Sequence, residues 1–305
     1  MRVGIDLGGT KIEIAVLDEG NNIILRERVP APQGDYATTV QAIKELVASI
    51  ESRLKTPPRI GIGVPGTISP ETGLMKNANS VWLNGKPLSR DLEQALDKKI
   101  RIANDANCFT LSEAVDGAGQ NANVIFGVIL GTGVGGGIVV NKRILTGAHA
   151  IAGEWGHNRF PKGTDNEHRL TNCYCGKEGC IETFLSGPAL AADYTARTGD
   201  TLTPTEITDQ AANMDKLACA ILDGYFDRLA RALSTIINVL DPDVVILGGG
   251  LSKISALYEE VPQRLSDYVF SDICKTPILE NVHGDSSGVR GAAWLWGEKL
   301  FSPPR

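Results

Sequence analysis

The sequence predicts an α/β protein built from two duplicated halves with a cleft between them, each half opening on a glycine-rich β-hairpin. Three observations carry this. Val3 to Leu7 and Ile12 to Val16 are strand-like runs joined by Gly8-Gly9-Thr10-Lys11. Val124 to Leu130 and Ile138 to Val140 repeat that arrangement around Gly131-Thr132-Gly133-Val134-Gly135-Gly136-Gly137. After each hairpin, helical and strand periodicities alternate, as layered α/β folds require.

In chain order, a third strand, Asn22 to Val29, follows the turn Glu19-Gly20-Asn21. Beyond Asp35, a helix is marked by Val40, Ile43, Leu46, Val47, Ile50 and Leu54 on one face. Ile60 to Val64 is a strand ending in Pro65-Gly66, and Ser89 is placed to cap a short helix through Leu96. Ile100, Ile102 and Ala103 form a short buried strand before a helix from Ala106 to Val115. Residues 117–123, rich in glycine and asparagine, mark a boundary, giving an N-terminal domain over 1–118 and a C-terminal domain over 119–287. A long helix from Met214 to Leu240 carries Leu217, Ile221, Tyr225, Leu229, Leu233 and Ile236 at helical spacing, and Asp241-Pro242 stops it. Val244 to Leu247 is a buried strand, and Gly248-Gly249-Gly250 leads toward another helix. A terminal helix within 288–305 is expected to pack back on the first domain.

With 305 residues, 42% of them hydrophobic, the chain can fill two cores. A net charge of -6 argues against nucleic acid or an anionic membrane as partner. No apolar run reaches transmembrane length, and Met1 opens directly into a strand, so no signal peptide is expected and a cytoplasmic location is. Of six cysteines, Cys173, Cys175 and Cys180 crowd together, while Cys108, Cys219 and Cys274 stand alone in apolar surroundings. That pattern suits a metal site with buried thiols better than a disulfide framework.

The chemistry centres on Asn104-Asp105-Ala106-Asn107. A carboxylate at a strand end, flanked by amides, suits a general base: Asp105 accepts a hydroxyl proton while Asn104 directs that hydroxyl. The plainer alternative is that Asp105 caps the following helix. Gly131-x-Gly133-x-x-Gly136 matches the dinucleotide fingerprint in letters, but the strand-like Ile138-Val139-Val140 stands where a helix is needed. Gly4 to Lys11 ends Gly-Thr-Lys, which is no Walker A loop. What remains is a pair of hairpins whose glycines let backbone N–H groups approach phosphate oxygens, with Thr10 and Thr132 in the turns. Asp6 beside the first suits a nearby magnesium. The third turn, Gly248-Gly249-Gly250, offers flat access for an adenine or ribose.

Cys173-x-Cys175-x4-Cys180, with His157 upstream, supplies three thiolates and an imidazole for a closed, structural zinc site. His168 competes as fourth ligand. With one ring nitrogen of His157 on zinc, the other becomes an N–H donor of fixed direction. Glu154 and Glu182 are then placed to accept from sugar hydroxyls.

Together these residues resemble the ROK family (repressors, open reading frames and sugar kinases), within the actin-like ATPase (ribonuclease H-like) fold of duplicated domains with an interdomain cleft. The resemblance runs from Asp6-Leu7-Gly8-Gly9-Thr10 through Gly63-Val64-Pro65-Gly66, Asn104-Asp105 and Gly131-Thr132-Gly133. It continues through Glu154-x-Gly156-His157, the cysteine knot with Glu182, and Asp243 to Gly250. It implies an ATP- and Mg2+-dependent hexose kinase with structural Zn2+, with Asp105 as base. Asp6, Gly8, Gly9, Thr10, Lys11, Gly131, Thr132, Gly133, Gly248 and Gly249 would lie on the ATP side. Gly66, Asn79, Asn104, Glu154, His157 and Glu182 would lie on the sugar side, and a homodimer is the family expectation. Residues 77–85 and 284–288 look like bacterial fructokinases, making D-fructose the expected substrate, with Trp82 either walling out an N-acetyl group or serving as core packing. The N-acetylglucosamine kinases of the family share Asp105-Ala106-Asn107-Cys108 and form the alternative, with glucose and mannose kinases. A sugar-sensing repressor and a non-catalytic binding protein are remoter readings. The family's repressors carry an N-terminal helix-turn-helix, whereas the first strand here begins at Val3.

Overall fold

The computed structural model describes residues 1–54, 57–161 and 171–297, and His168 lies outside them. The chain forms two compact units. The first comprises Met1–Asn121, Gly137–Ala152 and the described part of Asp285–Arg305, so the chain enters it three times. The second comprises Ala122–Gly136 and Gly153–Gly284.

The first unit begins with β1 (Arg2–Leu7), β2 (Lys11–Leu17) and β3 (Ile23–Pro30), all antiparallel neighbours. Helix α1 (Tyr36–Glu51) follows, capped by Asp35, whose side chain accepts from the Thr38 N–H. It returns the chain to β4 (Arg59–Val64), parallel to β1. A small ladder of β5 (Thr67–Ile68) and β6 (Met75–Lys76) and helix α2 (Leu88–Leu96) lead to β7 (Ile100–Asn104) and α3 (Asp105–Asp116). The sheet order is β3-β2-β1-β4-β7, so the strand that presents Asn104 is an edge strand, and four of its five residues are only partly buried. Ile5, Ile14, Ile43, Ile50, Ile60 and Ile62 are fully enclosed in the core between this sheet and the helices.

β8 (Val124–Leu130), β9 (Val134–Val140) and β10 (Arg143–Ile144) open the second sheet, and β9 passes from the second unit into the first at Gly137. The second unit continues with α4 (Glu182–Leu185), α5 (Gly187–Thr198), α6 (Pro204–Ala212), α7 (Lys216–Leu240), β11 (Val244–Gly248), α8 (Leu257–Leu265) and β12 (Ile278–Glu280). The strand order is β10-β9-β8-β11-β12, with β11 parallel to both β8 and β12. The sequence of events thus repeats: a glycine hairpin, then helix, then parallel strand. No described helix is long and apolar enough to cross a membrane.

Several local expectations shift. Helix α2 starts one residue before Ser89, with Pro87 at its N-cap and no side-chain cap bond, because Leu88 and Leu92 drive it into the core. The second glycine turn is confined to 131–133, since β9 already begins at Val134. The long helix begins at Lys216, and Leu217 on its first turn is 54% exposed. Met214 is left-handed (φ 64°) and Asp215 caps the helix, so the apolar stripe becomes core only from Ile221 onward. Asp241, left-handed at φ 44°, ends it.

The terminal helix α9 (Ser287–Trp294) belongs to the first unit, where it lies on β1, β4 and α3. Residues 298–305 of the expected helix lie outside the described residues. Two glycines make that contact possible. A Cβ on Gly4 would stand 1.9 Å from the Val289 carbonyl oxygen, and one on Gly61 would stand 1.9 Å from that of Ala292. Backbone touches backbone there, with no flexible side chain to move aside. Gly61→Val should therefore destabilise the protein by about 3 kcal/mol in urea unfolding. A loss within about 0.5 kcal/mol, the range of an indifferent surface change, would contradict this packing.

Candidate active site and metal cluster

In the first unit, the hairpin turn is closed by the Gly8 N–H donating to the Lys11 carbonyl at 2.9 Å, which leaves Gly9, Thr10 and Lys11 exposed. Asp6 sits one residue before this turn, paired in register with Glu13 on β2 and Gly63 on β4. Its carboxylate lies at the start of α9, where a Cβ on Gly288 would come within 3.0 Å of Oδ2. Burial, and then the nearby Asp105 and Glu13 carboxylates, push Asp6 up to about 7, against the opposing pull of Lys11 and Arg28. Asp6 and Asp105 are thus brought together, two acids in one small region of a single unit.

The cap of α3 is Asn104, not Asp105. Asn104 Oδ1 accepts from the Ala106 and Asn107 N–H groups at 2.9 and 3.3 Å, and its Nδ2 donates to the Gly66 carbonyl at 3.2 Å. The capping alternative for Asp105 therefore falls on its neighbour. Asp105 occupies the first helical position, with Oδ1 2.8 Å from the Ala106 N–H. Asn104 spends most of its hydrogen-bonding capacity on backbone. One turn on, Cys108 is fully buried, and burial together with Asp6 and Asp105 pushes its thiol well up, so it stays neutral.

The 77–84 loop lies beside the first turn, since a Cβ on Gly9 would sit 3.6 Å from Ser80 Oγ. Asn84 clamps that loop with two 2.9 Å bonds to the backbone of Ala78 and leaves Asn79 exposed. Trp82 packs, partly buried, against the core of the first unit. The Asn84 clamp shows in the sequence only as an asparagine before glycine.

In the second unit, the turn at 131–133 is held by Gly131 N–H to the Gly133 carbonyl (3.0 Å) and by Gly187 N–H to the Gly131 carbonyl (2.8 Å). Gly249, with φ 85°, lies against the end of β8, so the turns at 131–133 and 248–249 adjoin. Glu182 reaches the same turn: its Oε2 accepts from the Val134 N–H at 2.9 Å, and its Oε1 lies 3.7 Å from Cys173 Sγ. That approach requires glycine at 133, where a Cβ would meet Oε2 at 2.6 Å.

Trp155 anchors the loop that carries Glu154 and His157. It is 2% exposed, donates from Nε1 to the Gly135 carbonyl at 3.0 Å, and meets Phe126 edge-to-face. Beyond it, one nitrogen or sulfur each from His157, Cys173, Cys175 and Cys180 lies within 4.8 Å of the others. Cys173 Sγ is 3.6 Å from His157 Nδ1, and Cys175 Sγ is 3.6 Å from Cys180 Sγ. A disulfide needs about 2.05 Å. Donors about 2.0–2.3 Å from a central zinc in a tetrahedron stand roughly 3.5 Å apart, so these four fit that ion. The second nitrogen of His157 faces Tyr174, with Nε2 3.1 Å from Oη. A cavity of about 410 Å3 opens beside this cluster, lined by Thr132, Cys173, Tyr174, Glu182, Phe184 and Arg228 among others.

The raised Asp6 has a consequence for stability. Its folded pKa lies above the unfolded value, so the folded state binds the extra proton, and stability falls as pH rises from about 4 through about 7. About three units corresponds to at most roughly 4 kcal/mol. Without nucleotide or magnesium, Asp6→Asn should raise the melting temperature at pH 8 and gain nothing at pH 4. Parallel pH profiles for the two proteins would show that Asp6 titrates alike in the folded and unfolded states.

Comparison with known proteins agrees with this architecture. The ROK family profile matches residues 2–299. The chain is 40% identical over 300 residues to an N-acetyl-D-glucosamine kinase of Salmonella gallinarum (strain 287/91 / NCTC 13346), covering 97% of this chain and 99% of the relative. Among solved structures, the ROK hexokinase of Thermus thermophilus superimposes with a TM-score of 0.85 at 29% identity, over 98% of this chain and 99% of that one. A ROK family glucokinase from Streptomyces griseus, in complex with glucose and AMPPNP, gives 0.79 at 26% identity, over 97% and 99%. The fold is that of the actin-like ATPases, and the chain belongs to the ROK family.

Proposed function

We propose that this protein transfers the γ-phosphoryl group of ATP to a hydroxyl of N-acetyl-D-glucosamine. The observation that carries the reading is the 40% identity, along 97% of the chain, to a kinase of that sugar. It rests also on the pairing of Asp6 with Asp105 next to an exposed glycine turn.

Asp105 takes the proton of the attacking hydroxyl. Its place at the start of α3, with a backbone N–H on one oxygen, fixes the carboxylate without protonating it. Asn104, Gly66 and Asn79 on the first unit, and Glu154, His157 and Glu182 on the second, are the sugar-side groups. Gly8 to Lys11 and Gly131 to Gly133 offer backbone N–H groups to the phosphates, and Gly248 and Gly249 offer a flat approach for the nucleoside. Asp6 is the residue that would hold magnesium, which when bound neutralises phosphate charge. His157, Cys173, Cys175 and Cys180 would hold a structural zinc, which stabilises the loop bearing Glu154. A cytoplasmic homodimer completes the reading.

D-Fructose is the second candidate, favoured by residues 77–85 and 284–288. The argument against an N-acetyl group needed Trp82 as a wall of the sugar pocket. Trp82 is partly buried against the core of the first unit, the packing role that was the alternative to a pocket wall. The deciding measurement is kcat/KM for N-acetylglucosamine, glucose, mannose and fructose. N-acetylglucosamine should lead by at least about tenfold, the discrimination that one well-fitted group provides. A lead by fructose would restore the other assignment.

For Asp105→Asn, turnover should fall by about 10²–10⁴ while calorimetry still shows sugar binding and the melting temperature stays near wild type. Near-normal kcat would remove Asp105 from the chemistry.

A further inference from the structure

The donors of the histidine–cysteine cluster are unequal, and the difference carries one more step, which rests on the zinc reading above. Cys173 and Cys180 are 7% and 1% exposed, whereas Cys175 stands at the surface. Cys173 Sγ turns inward, 3.6 Å from His157 Nδ1 and 3.7 Å from Glu182 Oε1. Cys175 Sγ instead has Cys180 Sγ as its neighbour, at 3.6 Å. An oxidant arriving from solvent meets Cys175 first and finds a second thiolate directly behind it.

The backbone favours that pair. Cys175 and Cys180 are joined through Gly176-Lys177-Glu178-Gly179, and both glycines are left-handed, at φ 85° and 68°. Their turn doubles the chain back, so the two sulfurs need approach by only roughly 1.5 Å to bond. Cys173 and Cys175 have a single residue between them, a span in which disulfide geometry is strained.

We propose that Cys175 and Cys180 form a redox modification site whose oxidant is a hydroperoxide. The Cys175 thiolate attacks one peroxide oxygen, the O–O bond breaks, and hydroxide leaves with the electron pair. The Cys180 thiolate then attacks the Cys175 sulfenic acid, forming the S–S bond and expelling a second hydroxide. The two thiolates lose two electrons in all, and the peroxide takes both. His157 and Cys173 alone do not complete a tetrahedral site, so the metal leaves. Phe160 N–H to the Gly179 carbonyl (2.7 Å) and Ile181 N–H to the Asn158 carbonyl (2.9 Å) tie the neighbours of Cys180 to the stretch after His157. Movement at Cys180 thus reaches the loop bearing Glu154 and His157, and oxidation acts on sugar binding.

The test treats the zinc-loaded full chain with hydrogen peroxide and follows zinc release to a chromophoric chelator. Cysteine peptides are mapped by mass spectrometry, and sugar KM is measured alongside. Wild type should release zinc at least about tenfold faster than without peroxide. Its product should carry a Cys175–Cys180 link, and dithiothreitol with zinc should restore both the metal and KM. The double variant Cys219→Ser/Cys274→Ser, which lacks two thiols outside the cluster, should respond as wild type does. Cys175→Asp, with an oxygen ligand in place of the thiolate, should keep its zinc through the same treatment. Release without that link, or with sulfinic acid on Cys175, overturns the proposal, and so does equal release from Cys175→Asp. The wild-type peptide map decides the pairing whether or not Cys175→Asp loads zinc. A wild-type chain that takes up no zinc before peroxide defeats the zinc reading itself, an outcome the initial metal content separates from a failure of the redox step.

Discussion

Asp105 lies close enough to Asp6 to raise its cost of ionisation, and much of the first unit is organised around keeping the two there. Asp6 lies near the end of β1 and Asp105 directly follows the end of β7, on either side of β4. Asn104 ends β7, caps α3 and ties both to Gly66, so Asp105 cannot swing with a loose helix start. α9 brings its first turn to Asp6, an approach that depends on Gly288 and on the bare backbones of Gly4 and Gly61 beneath it. Like charges in a poorly solvated place demand a cation or a proton. In the function proposed above, magnesium would supply the first and the deprotonated hydroxyl the second.

The second unit solves a different problem, the placement of a polar loop with little core of its own. Trp155 is the apolar anchor at one end, inserted below β8 and β9. The histidine and three cysteines tie the other end, with small bridges at Arg159 to Cys180 and Asn172 to Glu178. Glu182 joins the loop to the glycine turn, because one carboxylate oxygen accepts from Val134 while the other faces Cys173. The 131–133 turn and the histidine–cysteine cluster are thus one carboxylate apart.

The two hairpins are alike in sequence and unlike in what holds them. Gly8 is bonded across its own turn to Lys11, and the Thr10 carbonyl accepts from the Ala31 N–H just past β3. The second turn is closed by Gly131 N–H to the Gly133 carbonyl and braced by Gly187 and Glu182. The first turn thus leans on the chain that leaves its own sheet, whereas the second leans on α4 and α5.

Local chemistry was enough for the sequence to determine the pattern of strands and helices, the glycine turns, and the grouping of three cysteines with a histidine. Backbone freedom, apolar period and ligand spacing are properties of neighbouring residues, and they survive without a fold. The same held for Asp241 as a stop. Where two adjacent residues could play one part, tertiary structure chose: Asn104 caps α3 because its amide also reaches Gly66, 38 residues away, and this releases Asp105. Ser89 lost its cap because Leu88 is buried, and Leu217 left the core because its helix turn lies at the surface. Trp82 turned from pocket wall to packing, and Tyr174 became the partner of His157, through contacts that no periodicity encodes. The return of α9 to the first sheet was expected in outline. Its reason, glycines at 4 and 61 that let one backbone rest on another, exists only once segments more than 200 residues apart have met.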